Sequence, residues 1–280
     1  MMPGDETRPR DRVFCILNVA FCIAIASSCA APKPIVLPSD SGSPLADFAA
    51  VHATLATACT GVRTLTTELG LSGRVGDETL RVRVVAGFER PSSMRLEGVA
   101  PFGQPVFILA ARNGAATLLL PGDRRILRGA PPEAILDALV GVTLAPADLL
   151  AVFTGCVVPA PRPIAGRTHQ GDWASIDVES GDQQSGPRTA TLYLRRAGSA
   201  WQLRAARRDK WQIEYAQGSG LFPQSVRLVS PEQRVNLGAS LSQVETNVDV
   251  DAAAFAVEER NDLTPLTIEE LREAGPLRGQ

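Results

Sequence analysis

Residues 105–111 and 116–121 are apolar at nearly every position, so neither run has an obvious wet face. Asn113-Gly114 lies between them. That dipeptide is a strong hairpin signal, because a type I′ turn needs positive φ at both central positions. The two runs therefore read as antiparallel strands that are greasy on both sides. Such strands must be covered on both sides or must face a cavity.

Around this hairpin the hydrophobic period changes from segment to segment. Residues 46–60 read as a helix, with Phe48, Val51, Leu55 and Cys59 recurring at three and four and Gly61 as the stop. In 79–88 the period is two. Leu80, Val82, Val84, Ala86 and Phe88 share one face, and Arg81 and Arg83 share the other. Residues 93–99 alternate again, with Met94 and Leu96 opposite Arg95 and Glu97. A short strand is expected at 124–128. Helices are expected at 131–140 and 146–154; each opens on proline, which suits a first helical turn, and each is followed by glycine. After a proline-rich link, strands are expected at 173–178, 189–195, 201–207, 211–215, 225–229 and 234–241. The segment starting Thr267-Ile-Glu-Glu reads as a short capped helix. The order helix, sheet, two helices, sheet predicts an α+β fold on one large curved antiparallel sheet, not a βαβ fold.

Arg8, Arg10 and Arg12 precede an apolar run over 13–26 that only Asn18 interrupts. The run is shorter than the about 20 residues of a membrane-spanning helix. Its charge and length match a secretory signal peptide. Ile25-Ala26-Ser27-Ser28-Cys29 resembles the lipobox of bacterial lipoproteins, which makes Cys29 the lipidated new N-terminus. An ordinary signal peptide cut near Ala30 or Ala31 is the alternative. Ala30, not Asp, follows the cysteine, which favours sorting to the outer membrane. The expected organisation is a signal over 1–28, a lipidated Pro- and Ser-rich tether over 29–45, one domain over 46–248, and an extension over 249–280 with a short helix. Export places Cys59 and Cys156 in an oxidising compartment. Either they form a bridge worth roughly 3–5 kcal/mol for so long a loop, or they are two separate buried thiols.

Hydrophobic residues are 45% of the chain, charged residues 21%, and the net charge is −2, which suffices for a real core. No basic stripe with interleaved aromatics is present, so nucleic acid is not an expected partner. No Gly-x-Ser-x-Gly, Cys-x-x-Cys, His-Glu-x-x-His or phosphate loop occurs. Neither His52 nor His169 has a carboxylate or cysteine at ligand spacing. No catalytic residue, metal or cofactor is therefore expected, and the chain does not read as an enzyme. His52 reads as a surface or boundary residue. The charge clusters at 123–125 and 207–210 read as solvated turns.

Several segments, in order, resemble the LolB-type outer-membrane lipoprotein insertion factors and their LolA-like carrier relatives. Leu71-Ser-Gly-Arg-Val75 looks like that family's first strand. Met94-Arg-Leu-Glu-Gly-Val-Ala-Pro-Phe-Gly103 is similar to its strand ending in Pro-Leu-Gly. Residues 134–140 and 149–155 resemble its pair of lid helices. Lys210-Trp-Gln-Ile-Glu-Tyr215 and Phe222-Pro-Gln-Ser-Val-Arg-Leu228 resemble its later strand segments. The resemblance implies an unclosed antiparallel β-barrel whose helices plug an apolar cavity. It implies a lipid-anchored, non-catalytic protein on the periplasmic side of the outer membrane. That protein would bind acyl chains of lipoprotein cargo, with a periplasmic carrier as partner. A monomer is expected. Phe88, Met94, Leu96, Val106, Ile108, Leu118 and Leu120 would supply the cavity walls. Pro101, Phe102 and Gly103 match the family's membrane-insertion loop; Phe102 either enters lipid or folds back into the core. The cysteine pair, an insertion near 180–187 and the C-terminal extension depart from the family. The alternative reading is a structural or assembly lipoprotein that binds a membrane-protein partner.

Overall fold

The computed structural model describes residues 34–100, 103–156, 162–180, 188–218, 220, 222–258 and 262–274. The chain divides into two units, Met1–Val36 and Leu37–Gln280. The first is described only at 34–36, which form no helix or strand; the second holds every element among the described residues. Cys29 and the proline-rich link at 157–161 lie outside the described residues. So do Pro101 and Phe102, and 181–187 of the expected insertion.

In chain order the elements are β1 (Ser43–Pro44), α1 (Phe48–Thr60), β2 (Thr64–Val75), β3 (Glu78–Glu89), β4 (Ser93–Val99), β5 (Pro105–Arg112), β6 (Ala115–Leu120) and β7 (Arg125–Ala130). The helices α2 (Pro132–Val140) and α3 (Pro146–Thr154) come next. Then follow β8 (Arg162–His169), β9 (Trp173–Ser180), β10 (Arg188–Ala197), β11 (Ala200–Arg208), β12 (Trp211–Gln217), β13 (Pro223–Ser230) and β14 (Val235–Thr246). A 3₁₀ turn (Ala252–Phe255), β15 (Thr264–Pro265) and α4 (Ile268–Ala274) complete the described chain.

All 15 strands among the described residues belong to one sheet, in the order β1-β8-β9-β10-β11-β12-β13-β14-β2-β3-β4-β5-β6-β7-β15. The two end strands do not pair, so this curved sheet is an unclosed barrel. Every pairing is antiparallel except β15 with β7. Strands β7 and β8 sit near opposite ends of the order. The chain between them must therefore cross the sheet, and it crosses as α2 and α3. Proline at the first turn starts each of these helices, and a left-handed glycine ends each: Gly141 (φ 67°) and Gly155 (φ 73°).

The concave face carries the main core. Leu65 and Leu69 of β2, Val84 and Phe88 of β3 and Met94 of β4 meet Leu109 and Leu118 of the greasy hairpin, and Ile213, Tyr215 and Leu237 from the far side of the sheet. Ile135, Leu149, Leu150 and Phe153 of the lid helices close this core. The hairpin turn has the expected geometry, with positive φ at both Asn113 and Gly114.

The doubly apolar strands β5 and β6 are covered on both sides. Their concave residues, Leu109, Ala111, Ala116 and Leu118, belong to the main core. Their other face presents Ala110 and Leu119, buried along with Ile126 of β7 but outside that core. The first part of the C-terminal extension, its 3₁₀ turn, lies on this convex side. The turn rests against β4 and β5 with Phe255 buried. Arg95 of β4 donates to the carbonyls of Ala254 (3.1 Å) and Ala256 (2.9 Å).

Three expectations need adjustment. Of the two readings of His52, surface or boundary, the structure gives the boundary: it is 7% exposed and lines a cleft on the side of α1 that faces β11 and the end of α3. Strand β8, with proline, glycine and two arginines in eight residues, escaped the periodicity reading. The end of the tether is part of the sheet. Ser43 and Pro44 pair with Thr168 and Arg167, and His169 Nδ1 stands 3.2 Å from Asp40 Oδ1.

Candidate functional site

Beneath α2 and α3 the concave face leaves an apolar hollow of about 70 Å³. Leu69 and Leu71 of β2, Val82 and Val84 of β3, Leu96 of β4 and Phe107 of β5 form one wall. Val226 and Leu228 of β13, with Leu237, Gly238 and Ala239 of β14, form the other. The roof is Leu136, Leu139, Val140, Val142, Leu149 and Phe153. No side chain in this lining carries a hydrogen-bonding group. Such a lining offers water no side-chain hydrogen bond.

Local geometry builds these walls. Gly98 of β4 faces Phe107, whose ring lies where a Cβ on residue 98 would stand. The absent side chain lets that ring lie across the strand. On the roof, Phe153 meets Phe88 with ring centroids 5.8 Å apart and planes tilted by 46°. In α2, Leu136, Leu139 and Val140 recur at three and four, so one stripe of the helix faces the hollow.

Of the seven residues expected to line the cavity, Leu96 lines it. Phe88, Met94, Leu118 and Leu120 are buried on the concave side as packed core. Val106 and Ile108 are half-buried and alternate with Phe107 and Leu109, which take the inward positions. Every residue in that stretch of β5 is apolar, so periodicity carried no sign of which face turns in. The lid helices were expected over the cavity, but their lining residues and the β13–β14 wall were not named. Their signal was present in the alternation of Val226 with Leu228 and Leu237 with Ala239. The hollow is also smaller than an oily cavity for a hydrocarbon tail has to be. Ligand pockets commonly enclose ~300–1,000 Å³.

The two roof helices are fastened to the sheet by different means. Cys59 in the last turn of α1 forms a disulfide with Cys156, two residues beyond α3. At the other end of α3, Asp148 pairs with Arg208 of β11. Helix α2 instead packs against α4, with Leu266 and Leu271 buried beneath. Asp137 of α2 pairs with Arg272 at 3.3 Å. Arg125 of β7 holds Glu270 at 2.7 Å. Thr267 and Glu270 form a reciprocal capping box at the start of α4. The Thr267 backbone N–H and then the Arg125 guanidinium hold the Glu270 carboxyl below its usual range. Arg125 and Arg208, both in clusters read as solvated turns, thus anchor the lid assembly.

Outside the hollow, a groove of about 310 Å³ runs between the β2–β3 turn and α2. Val75, Glu78, Thr79 and Leu80 line one bank, and Asp137, Leu139, Val140 and Arg272 the other. Leu139 and Val140 border both groove and hollow, so this pair separates the interior from solvent. The polar groups of the interior sit elsewhere. The Tyr215 hydroxyl is buried without a hydrogen-bond partner among the described residues, and burial pushes its ionisation up. His52 lines a separate cleft of about 290 Å³ beside the disulfide, and burial pushes its pKa down. No group of three or more His, Cys, Asp or Glu suited to a metal occurs among the described residues. The turn between β4 and β5 closes with Gly103 N donating to Ala100 O at 2.9 Å, and Gly103 is exposed at the tip.

No protein-family model matches this chain, and no curated protein does. Solved structures match by fold. A LolA superfamily protein from Nitrosomonas europaea superposes with a TM-score of 0.50 at 9% identity, over 73% of this chain and 97% of its own. A DUF1329 family protein from Desulfovibrio piger reaches 0.46 at 11% identity, over 76% and 98%. A domain from Vibrio parahaemolyticus, described as an outer membrane lipoprotein-sorting protein, reaches 0.46 at 10%, over 74% and 94%. The last two are too loose to carry an argument. The first agrees with the element order and the open sheet: the fold is LolA-like, an unclosed antiparallel barrel with helices across its concave face.

Proposed function

We propose that this protein is a carrier that holds a hydrocarbon tail of a lipid or lipoprotein beneath α2 and α3. One observation carries the reading: a hollow with no polar side chain, roofed by two short helices that span an open barrel. Burial of an acyl chain gains about 0.8 kcal/mol per CH₂ and needs no catalytic group. At about 70 Å³ the hollow holds no tail as it stands, so α2 has to move outward for loading. The LolA-like fold supports this reading by its architecture alone. Lipidation at Cys29 would hold the domain at the periplasmic side of the outer membrane. No described helix is long and apolar enough to cross a membrane, so such a tether would supply the attachment. An insertion role would use the β4–β5 tip, with Phe102 next to the exposed Gly103.

A second reading is favoured by the small size of the hollow: an assembly lipoprotein with a filled core that binds a membrane-protein partner. The full chain with Cys29→Ser, purified without detergent, separates the two. Native mass spectrometry is expected to find a lipid-sized adduct, and a fluorescent fatty acid is expected to bind saturably. A folded protein showing neither removes the carrier reading.

A further inference from the structure

We propose that α4 is the latch of the lid, and that α2 alone is the moving leaf through which the hollow is reached. The inference rests on the carrier reading only for what passes through the opening; the latch itself rests on packing.

The two roof helices differ in what must break before they move. To lift α3, the Cys59–Cys156 bond must break, the Asp148–Arg208 pair must separate, and Phe153 must leave Phe88. To lift α2, α4 has to leave and Ile135 and Leu136 have to come off β6 and the core, but no covalent bond breaks. Helix α4 has 7 residues, too few to be stable alone, so it exists because of what it touches. It touches α2 through the buried Leu271 and the Arg272–Asp137 pair. It is carried there by β15, whose short parallel pairing with β7 consists of Thr264 N donating to Arg124 O at 2.9 Å and Leu266 N to Ile126 O at 2.8 Å.

The joint between leaf and fixed helix is at hand. Gly141 ends α2 in a left-handed conformation, and residues 141–145 join it to α3 without regular structure. Helix α2 starts two residues after β7 ends at Ala130, so its C-terminal end is the one that can rise, with 141–145 as slack, and that rise withdraws Leu139 and Val140, the pair between the outer groove and the hollow. Arg272 stands on the rim of that same groove. The latch thus lies beside the opening it controls. The 3₁₀ turn, with Phe255 buried on the convex side, stays in place when α4 leaves, so release of the latch does not detach the extension.

The test is hydrogen exchange on the full chain, read helix by helix. In Leu271→Ala the amides of α2 are expected to exchange roughly tenfold faster or more, with α3 unchanged. Arg272→Glu, which sets two carboxylates together, is expected to speed α2 a few-fold. Adding Asp137→Arg in the same chain restores the attraction and returns α2 to its original rate. Unchanged α2 exchange in Leu271→Ala, or an equal rise in α2 and α3, overturns the latch. Uptake of dansyl-undecanoic acid reads the passage itself. Faster uptake in Leu271→Ala than in the original chain supports control of access, and equal rates with a loosened α2 refute it. A loosened α2 with no probe bound by either protein leaves the latch standing and removes the carrier reading.

Discussion

Helices α2 and α3 have the same length, 9 residues, and the same proline start and glycine stop, yet the fold treats them oppositely. In α3 the stretch from Leu149 to Thr154 is buried without a break, and both ends are fastened. In α2 only Pro132, Ile135 and Leu136 are buried, and the helix is held by another short helix. The contrast teaches that the roof is not one lid. One half is a seat built into the core; the other is a leaf resting on it.

Experiments that break or sharpen this contrast differ in size. The largest effect is expected from Cys156→Ser. The bridge spans 97 residues, and its loss is expected to lower stability by about 4–5 kcal/mol in urea unfolding. A loss below about 1 kcal/mol would mean that α3 is seated by packing alone. Next comes a matched pair. Phe153→Ala, in the seat, is expected to cost about 3–5 kcal/mol. Leu139→Ala, on the half-buried leaf, is expected to cost about 1 kcal/mol, since only part of its side chain leaves water. Equal shifts in thermal unfolding would erase the distinction. The smallest effect is one of pH. The Glu270 carboxyl is held below its usual range by the Thr267 N–H and Arg125. Its contribution is therefore complete above the ordinary carboxylate value of 4.5 and fades as pH falls through the lowered value. Exchange at α4 and α2 is expected to rise in that acid window before exchange at α3 does, and Glu270→Gln is expected to remove the pH dependence.

Much of this was readable in order along the chain. The helices at 131–140 and 146–154 announced themselves by proline, apolar spacing and glycine, and they form within a residue or so of those bounds. The 93–99 strand alternates, and it forms over that span. Thr267 and Glu270 stand at the spacing of a capping box, and they make one. The site was less readable. Alternation identifies an inward face only when the two faces differ, and in β5 they do not, so Val106 and Ile108 were as plausible as Phe107 and Leu109. Strand β15 pairs with β7 through residues 139 positions apart, Thr264 and Arg125, and nothing local marks such a partner.

The sequence by itself determined which stretches coil, which extend and where each one stops, because those outcomes depend on residues within a few positions of one another. It also showed that the hairpin at 105–121 had to be covered on both sides or face a cavity. The tertiary structure alone decided what covers it: lid helices on the concave side and the 3₁₀ turn of the C-terminal extension on the convex side. It likewise decided that Cys59 meets Cys156 and that the roof divides into a fastened half and a latched half. Burial and pairing belong to surfaces brought together from distant parts of the chain, and a surface has no partner until the sheet has curved to present it.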